Sequence, residues 1–206
     1  MKKFTVLVAV TTIGIGAAAE PVDAQRQFPR EPPKTWVSAY GLMYTSLSGM
    51  RDPGTDSRWA FDDNAFGFGA ILQRQVGQSL LLGVDGSLAR PKYERQDLQT
   101  DAVLASGTAS IATLMANGRY GYSGGGDIGF YLTGGIGTVA YRLEDLGSWN
   151  ADFALHGGTG LEYRFSGGRR AAALEWGRTW AYHEKEGLGG GNQTHGVLKL
   201  AVRFGF

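Results

Sequence analysis

A chain of 206 residues with a net charge of +1 and no cysteine is long enough for one domain, and it excludes disulfides, cysteine metal centres and a lipidated cysteine anchor. Its basic residues are not gathered into a patch with interleaved aromatics, which argues against a nucleic-acid partner. Beyond the N-terminus no stretch approaches the ~20 consecutive apolar residues of a membrane helix, so any crossing of a membrane falls to strands closed into a barrel.

Residues 1–24 read as a secretory signal peptide. Lys2 and Lys3 precede an apolar run from Phe4 to Ala19, and Val22-Asp23-Ala24 offers small residues for cleavage. Cleavage there would leave the net charge at +1, because two lysines and two acids leave together. Residues 25–34 are polar and proline-rich, an extended lead-in.

From residue 35 the pattern has a period of two, which puts alternate side chains on opposite faces of strands. Eight strands are expected, at about Thr35–Tyr44, Asn64–Gln73, Ser79–Ala89, Thr108–Tyr122, Ile128–Tyr141, Ala151–Phe165, Ala171–Tyr182 and Thr194–Phe206. Long polar connections at Thr45–Asp63 and Arg90–Gly107 read as loops, and medium ones at Arg142–Asn150 and His183–Gln193 alternate with short turns. Outward aromatics gather near strand ends: Trp36, Tyr44, Phe66, Phe153, Tyr163, Phe165, Trp180, Phe204 and Phe206. Arg178 breaks the pattern by falling among outward residues, which a bulge or a rim position would explain.

The last strand is the clearest. Leu198, Leu200, Val202, Phe204 and Phe206 make one apolar face, and Lys199 and Arg203 lie on the other. With a signal peptide at the other end of the chain, this terminus resembles the assembly signal of bacterial outer-membrane β-barrels, carried by Leu200, Val202, Phe204 and Phe206. Residues 35–206 resemble the small eight-stranded barrels of the OmpA-transmembrane and OmpX-like group. The resemblance implies an all-β, antiparallel, up-and-down transmembrane barrel in a Gram-negative outer membrane, monomeric, inserted by the barrel assembly machinery and surrounded by lipid and lipopolysaccharide. It implies an envelope-structural or surface-interaction role without enzymatic activity. The alternative is a narrow pore for small hydrophobic or ionic solutes, as OmpW-like barrels are thought to be.

An eight-stranded barrel is just wide enough for its own side chains, so charges inside it have to pair. Asp85, Arg119, Glu162, Arg164, Glu175, Lys199 and Arg203 form the expected interior network. Glu175 and Arg203, on adjacent strands at similar counted depth, are the expected partners. His156 falls on an inward face and should be hydrogen-bonded. Neither His156 nor His183 has a serine two residues away on its own strand face, so nothing points to the nucleophile of a lipid-modifying barrel enzyme. No metal or cofactor site is expected. Arg51, Arg58, Trp59, Lys92, Tyr93 and Arg95 on the first two loops are candidates for contact with lipopolysaccharide or a foreign surface, or for packing on the rim.

Overall fold

The computed structural model describes residues 33–52, 54–62, 64–122, 127–144, 146–165, 167–182 and 192–206. The proposed signal peptide and most of the lead-in lie outside them, as does most of the connection after Tyr182. Eleven strands are described: β1 (Thr35–Leu47), β2 (Met50–Asp52), β3 (Ser57–Phe61), β4 (Phe66–Gln75), β5 (Leu80–Ala89), β6 (Lys92–Asp97), β7 (Val103–Tyr122), β8 (Ile128–Leu143), β9 (Trp149–Phe165), β10 (Arg170–Tyr182) and β11 (Gln193–Gly205).

Eight of them close a ring. The antiparallel order β1-β4-β5-β7-β8-β9-β10-β11 returns to β1, so no strand of the ring keeps an open edge. The closure is staggered. Partner by partner from Trp36, the ring passes Gln73, Gly83, Asn117, Gly135, His156, Thr179 and His195 and comes back to β1 at Leu47. That is eleven residues further along β1, one of them at the bulge between Tyr44 and Ser46. A stagger of this size tilts the strands by about 40° from the barrel axis. The first and last strands of the ring meet at the base, where Lys34 and Thr35 donate backbone N–H groups to the Phe206 carbonyl.

The outer wall is apolar. Phe66, Phe68, Leu114, Leu161, Leu200 and Phe206 are all exposed. A soluble protein rarely presents so large a continuous apolar surface, whereas the wall of a membrane barrel must. Two expected outward aromatics turn the other way. Trp36 and Tyr44 are buried with Ser38, Tyr40 and Leu42 on the inner face of β1, while Val37 faces out. Both faces of this strand carry apolar residues, so alternation alone does not select a direction. The interior polar groups do, since they give Trp36 and Tyr40 partners.

The first two long connections are not plain loops. β2, β3, β6 and the upper part of β7 form a second sheet in the order β2-β3-β6-β7 beyond the end of the barrel. Burial alternates where both strands begin: Ser57 and Trp59 are buried on either side of exposed Arg58, and Tyr93 is buried between exposed Lys92 and Glu94, which suits a half-buried sheet. Their turn-rich flanks conceal this in the sequence. Buried Pro91 stands where the ladder passes from barrel to outer sheet, and its carbonyl accepts the Ala109 N–H at 2.8 Å. Proline has no N–H to offer, which fits a break in pairing at this point.

Candidate functional site

The interior divides into two levels. In the lower one, Glu162 on β9 receives three arginines. Arg119 (β7) reaches its Oε2 at 2.5 Å, Arg164 reaches Oε1 at 2.8 Å, and Arg203 (β11) also binds Oε2. Arg203 further donates to Gln73 Oε1 at 2.9 Å and Ser38 Oγ at 3.2 Å, and Gln73 donates onward to Asn117 at 3.2 Å. Arg119 lies 3.4 Å from the centre of the Tyr131 ring, and Arg203 is 4.8 Å from that of Trp36. Arg119 and Arg203 each therefore have a carboxylate and an aromatic face, which offsets the cost of removing them from water.

The upper level centres on Lys199 (β11), placed 2.7 Å from Asp85 (β5) and 3.3 Å from Glu175 (β10). The Tyr40 hydroxyl donates to the other Asp85 oxygen at 2.5 Å, and Lys199 lies 5.0 Å from the Tyr40 ring centre. Two glycines make room for these rings. A Cβ on Gly69 would overlap Tyr40, and one on Gly160 would overlap Tyr131. Three buried carboxylates thus face three buried cations, with Arg164 partly exposed at the edge.

All seven expected interior charges are in this network, but the expected pairing of Glu175 with Arg203 is not made. Glu175 stands directly opposite Lys199, whereas Arg203 stands opposite Ala171. Counting depth strand by strand omits the stagger of the ring, and the stagger lifts Glu175 above the level of Glu162.

His156 lies between Thr179 (Nδ1 to Oγ1, 3.0 Å) and Glu175 (Nε2 to Oε1, 3.4 Å). Hydroxyl, imidazole and carboxylate in series are the parts of a nucleophile relay. Here Glu175 is shared with Lys199, Thr179 is buried, and the adjoining cavity of about 20 Å³ has room for about one water. The arrangement ties β9, β10 and β11 together through buried side chains. Above it the lumen becomes apolar. Tyr44, Ile111, Val139 and Leu143 are buried together there, and the His195 ring lies 5.9 Å from those of Tyr44 and Tyr141, its Nε2 2.7 Å from the Tyr141 hydroxyl. Tyr40, Tyr131 and His195 are parts of the filling that charge counting misses. Inward tyrosine beside inward glycine is the signal that would reveal the first two.

The outer sheet separates the loop candidates. Trp59 and Tyr93 are buried on its underside with Met50, so they pack and are not presented. Arg95 braces them: it lies 5.6 Å from the Trp59 ring centre, pairs with Asp52 at 2.8 Å and donates to Ser57 at 3.0 Å. Arg51, Arg58 and Lys92 are exposed, and Arg51 stands directly opposite Arg58. Arg58 is relieved by Asp101 at 3.3 Å and by Gln96. At the turn after β6, the backbone N–H groups of Thr100 and Gln99 and the Thr100 hydroxyl all donate to Asp97, and they hold its carboxyl below the usual carboxylate range. Leu200, Val202 and Phe204 on β11, and Phe206 just after it, all project outward.

No protein-family model and no curated protein matches the chain. Solved structures do share its fold. Neisserial surface protein A aligns with a TM-score of 0.56 at 14% identity, over 84% of this chain and 97% of its own. The outer membrane protein OprG from Pseudomonas aeruginosa aligns at 0.57 and 12% identity, over 87% and 99%. At such identities the likeness is one of fold, that of the small eight-stranded outer-membrane barrels.

Proposed function

We propose, for a chain with this fold, that it is a non-enzymatic outer-membrane protein with a closed lumen and a working surface on its outer sheet. The filled interior carries this reading. Three carboxylates, three cations, two tyrosine rings and a histidine occupy the cross-section, and the cavity left beside them takes about one water. A barrel so plugged serves as a rigid support for what stands on its end. The β2-β3-β6-β7 sheet, braced by Arg95 and bearing Arg51, Arg58 and Lys92, is that presented surface. Its basic residues suit anionic groups, lipopolysaccharide among them. The barrel acts as a monomer without a cofactor, and Leu200, Val202, Phe204 and Phe206 form the signal read by the assembly machinery.

The test is solute uptake. The barrel, refolded into vesicles and verified by its heat-modifiable gel mobility, should not admit small sugars or amino acids in a swelling assay. Swelling at porin-like rates would replace the support reading with the pore reading.

A further inference from the structure

The upper level of the lumen is short of one positive charge. Among the described residues it holds two buried carboxylates, Asp85 and Glu175, with one ammonium, Lys199, between them. The lower level has the opposite excess, since Arg119 and Arg203 share Glu162. Glu162 stands opposite Ala173, two residues below Glu175 on β10, so about 7 Å of strand separates the two rows. At that distance the guanidinium groups offset the upper carboxylates only in part.

His156 is the group placed to make up the difference. It stands opposite Thr179 on β10 and Gly135 on β8, and it is held closely: a Cβ on Gly177 would overlap its ring. Glu175 can only accept, so Nε2 carries the hydrogen of the neutral ring and Nδ1 accepts from the Thr179 hydroxyl. A second proton therefore arrives at Nδ1 and turns that hydroxyl from donor to acceptor without loss of a partner. The cavity that His156 helps to line gives water a way to the ring. Besides Glu175 on β10, the titratable groups around it are Asp85 on β5, Lys199 on β11 and Tyr44 on β1, while β7 and β8 bring only neutral residues. Of these groups, imidazole is the one that ordinarily changes charge between about pH 5 and 8.

We propose that His156 is a proton-operated latch on the plug. As imidazolium it gives Glu175 a cation of its own and leaves Lys199 to Asp85, which Lys199 already approaches more closely. The upper level is then two ion pairs, and the plug is shut. As neutral imidazole it leaves one ammonium to serve two buried carboxylates. The uncompensated charge favours entry of water, and of a cation with it, into the adjoining cavity. The plug therefore loosens as pH rises, and what it then admits is a small cation.

The test is single-channel recording of the refolded barrel in potassium chloride at about pH 5.5 and about pH 8.5, on either side of the ordinary imidazole pKa of about 6.5. Openings of the wild type, rare in acid, should become about tenfold more frequent in alkali, a usual strength of coupling between a bound proton and a conformational state. They should pass potassium in preference to chloride. His156→Gln, neutral at every pH, should open at the alkaline rate in both buffers, and His195→Gln should keep the wild-type response. The wild-type response decides alone if His156→Gln does not fold. Openings that grow more frequent in acid or that prefer chloride would overturn the latch, as would a pH response that survives in His156→Gln or is lost in His195→Gln. Rare openings without pH dependence strike the latch alone, whereas steady conductance in both buffers strikes the latch and the closed lumen together.

Discussion

Glu162 and Asp101 both pair with arginine, at opposite ends of the molecule. Glu162 is 2% exposed and shared by Arg119, Arg164 and Arg203; Asp101 is 79% exposed and meets Arg58 alone, at 3.3 Å. The lumen removes its charges from water, so each depends on its partners for the solvation it has lost. The outer sheet leaves its charges hydrated, and their attraction is screened and weak. The first arrangement fixes one geometry for the barrel; the second leaves arginines available to something outside it.

Removing one partner in each region tests that contrast most strongly. Glu162→Gln should destabilise the barrel by roughly 3–5 kcal/mol in urea unfolding from vesicles, because two buried guanidinium groups lose their counter-charge. Arg58→Ala should change stability by less than about 0.5 kcal/mol. Similar losses at the two sites would erase the distinction.

A double-mutant cycle resolves the lumen further. Glu162→Gln with Arg203→Met should show a coupling of about 1–3 kcal/mol, since these groups touch. Glu175→Gln with Arg203→Met should couple much less, because Glu175 bonds Lys199. Strong coupling in the second cycle would restore the pairing expected from counted depth.

Arg95→Ala probes the brace of the outer sheet. Loss of the Asp52 pair and of the Trp59 contact should cost about 1 kcal/mol locally. Amide exchange in β2, β3 and β6 should then rise about fivefold while the barrel strands stay protected. Exchange rising equally in the barrel would mean that the two sheets unfold as one.

The smallest effect belongs to Asp97. Its carboxyl titrates below the usual range because the folded turn donates hydrogen bonds to it. Its contribution is therefore complete above the ordinary carboxylate pKa of about 4 and is lost as pH falls through the depressed folded value. Protection of the Thr100 amide should fall in that acid window and be independent of pH near neutrality. In Asp97→Ala that acid step should vanish.

Much of the barrel is legible in the sequence. Alternation marks all eight of its strands, and on β11 it also gives the direction, because Lys199 and Arg203 oppose an unbroken apolar face. On β1 both faces are apolar, and Trp36 and Tyr44 turn inward for partners that lie on other strands. The seven interior charges follow from their faces alone. Their pairing does not, because the stagger of the ring belongs to closure and not to any one strand. β2, β3 and β6 are hidden by proline, glycine and aspartate around them, although Trp59 and Tyr93 repeat the alternation.

The closed lumen is the claim on which the rest depends, and single-channel recording in planar bilayers tests it most directly. Wild-type barrel should add no steady conductance above the bilayer leak, and a rare opening should become frequent in Glu162→Gln, where the plug is weakened. Steady open steps from the wild type, with Glu162→Gln changing their size or ion selectivity at unchanged stability, would contradict the plug and make the lumen a pore.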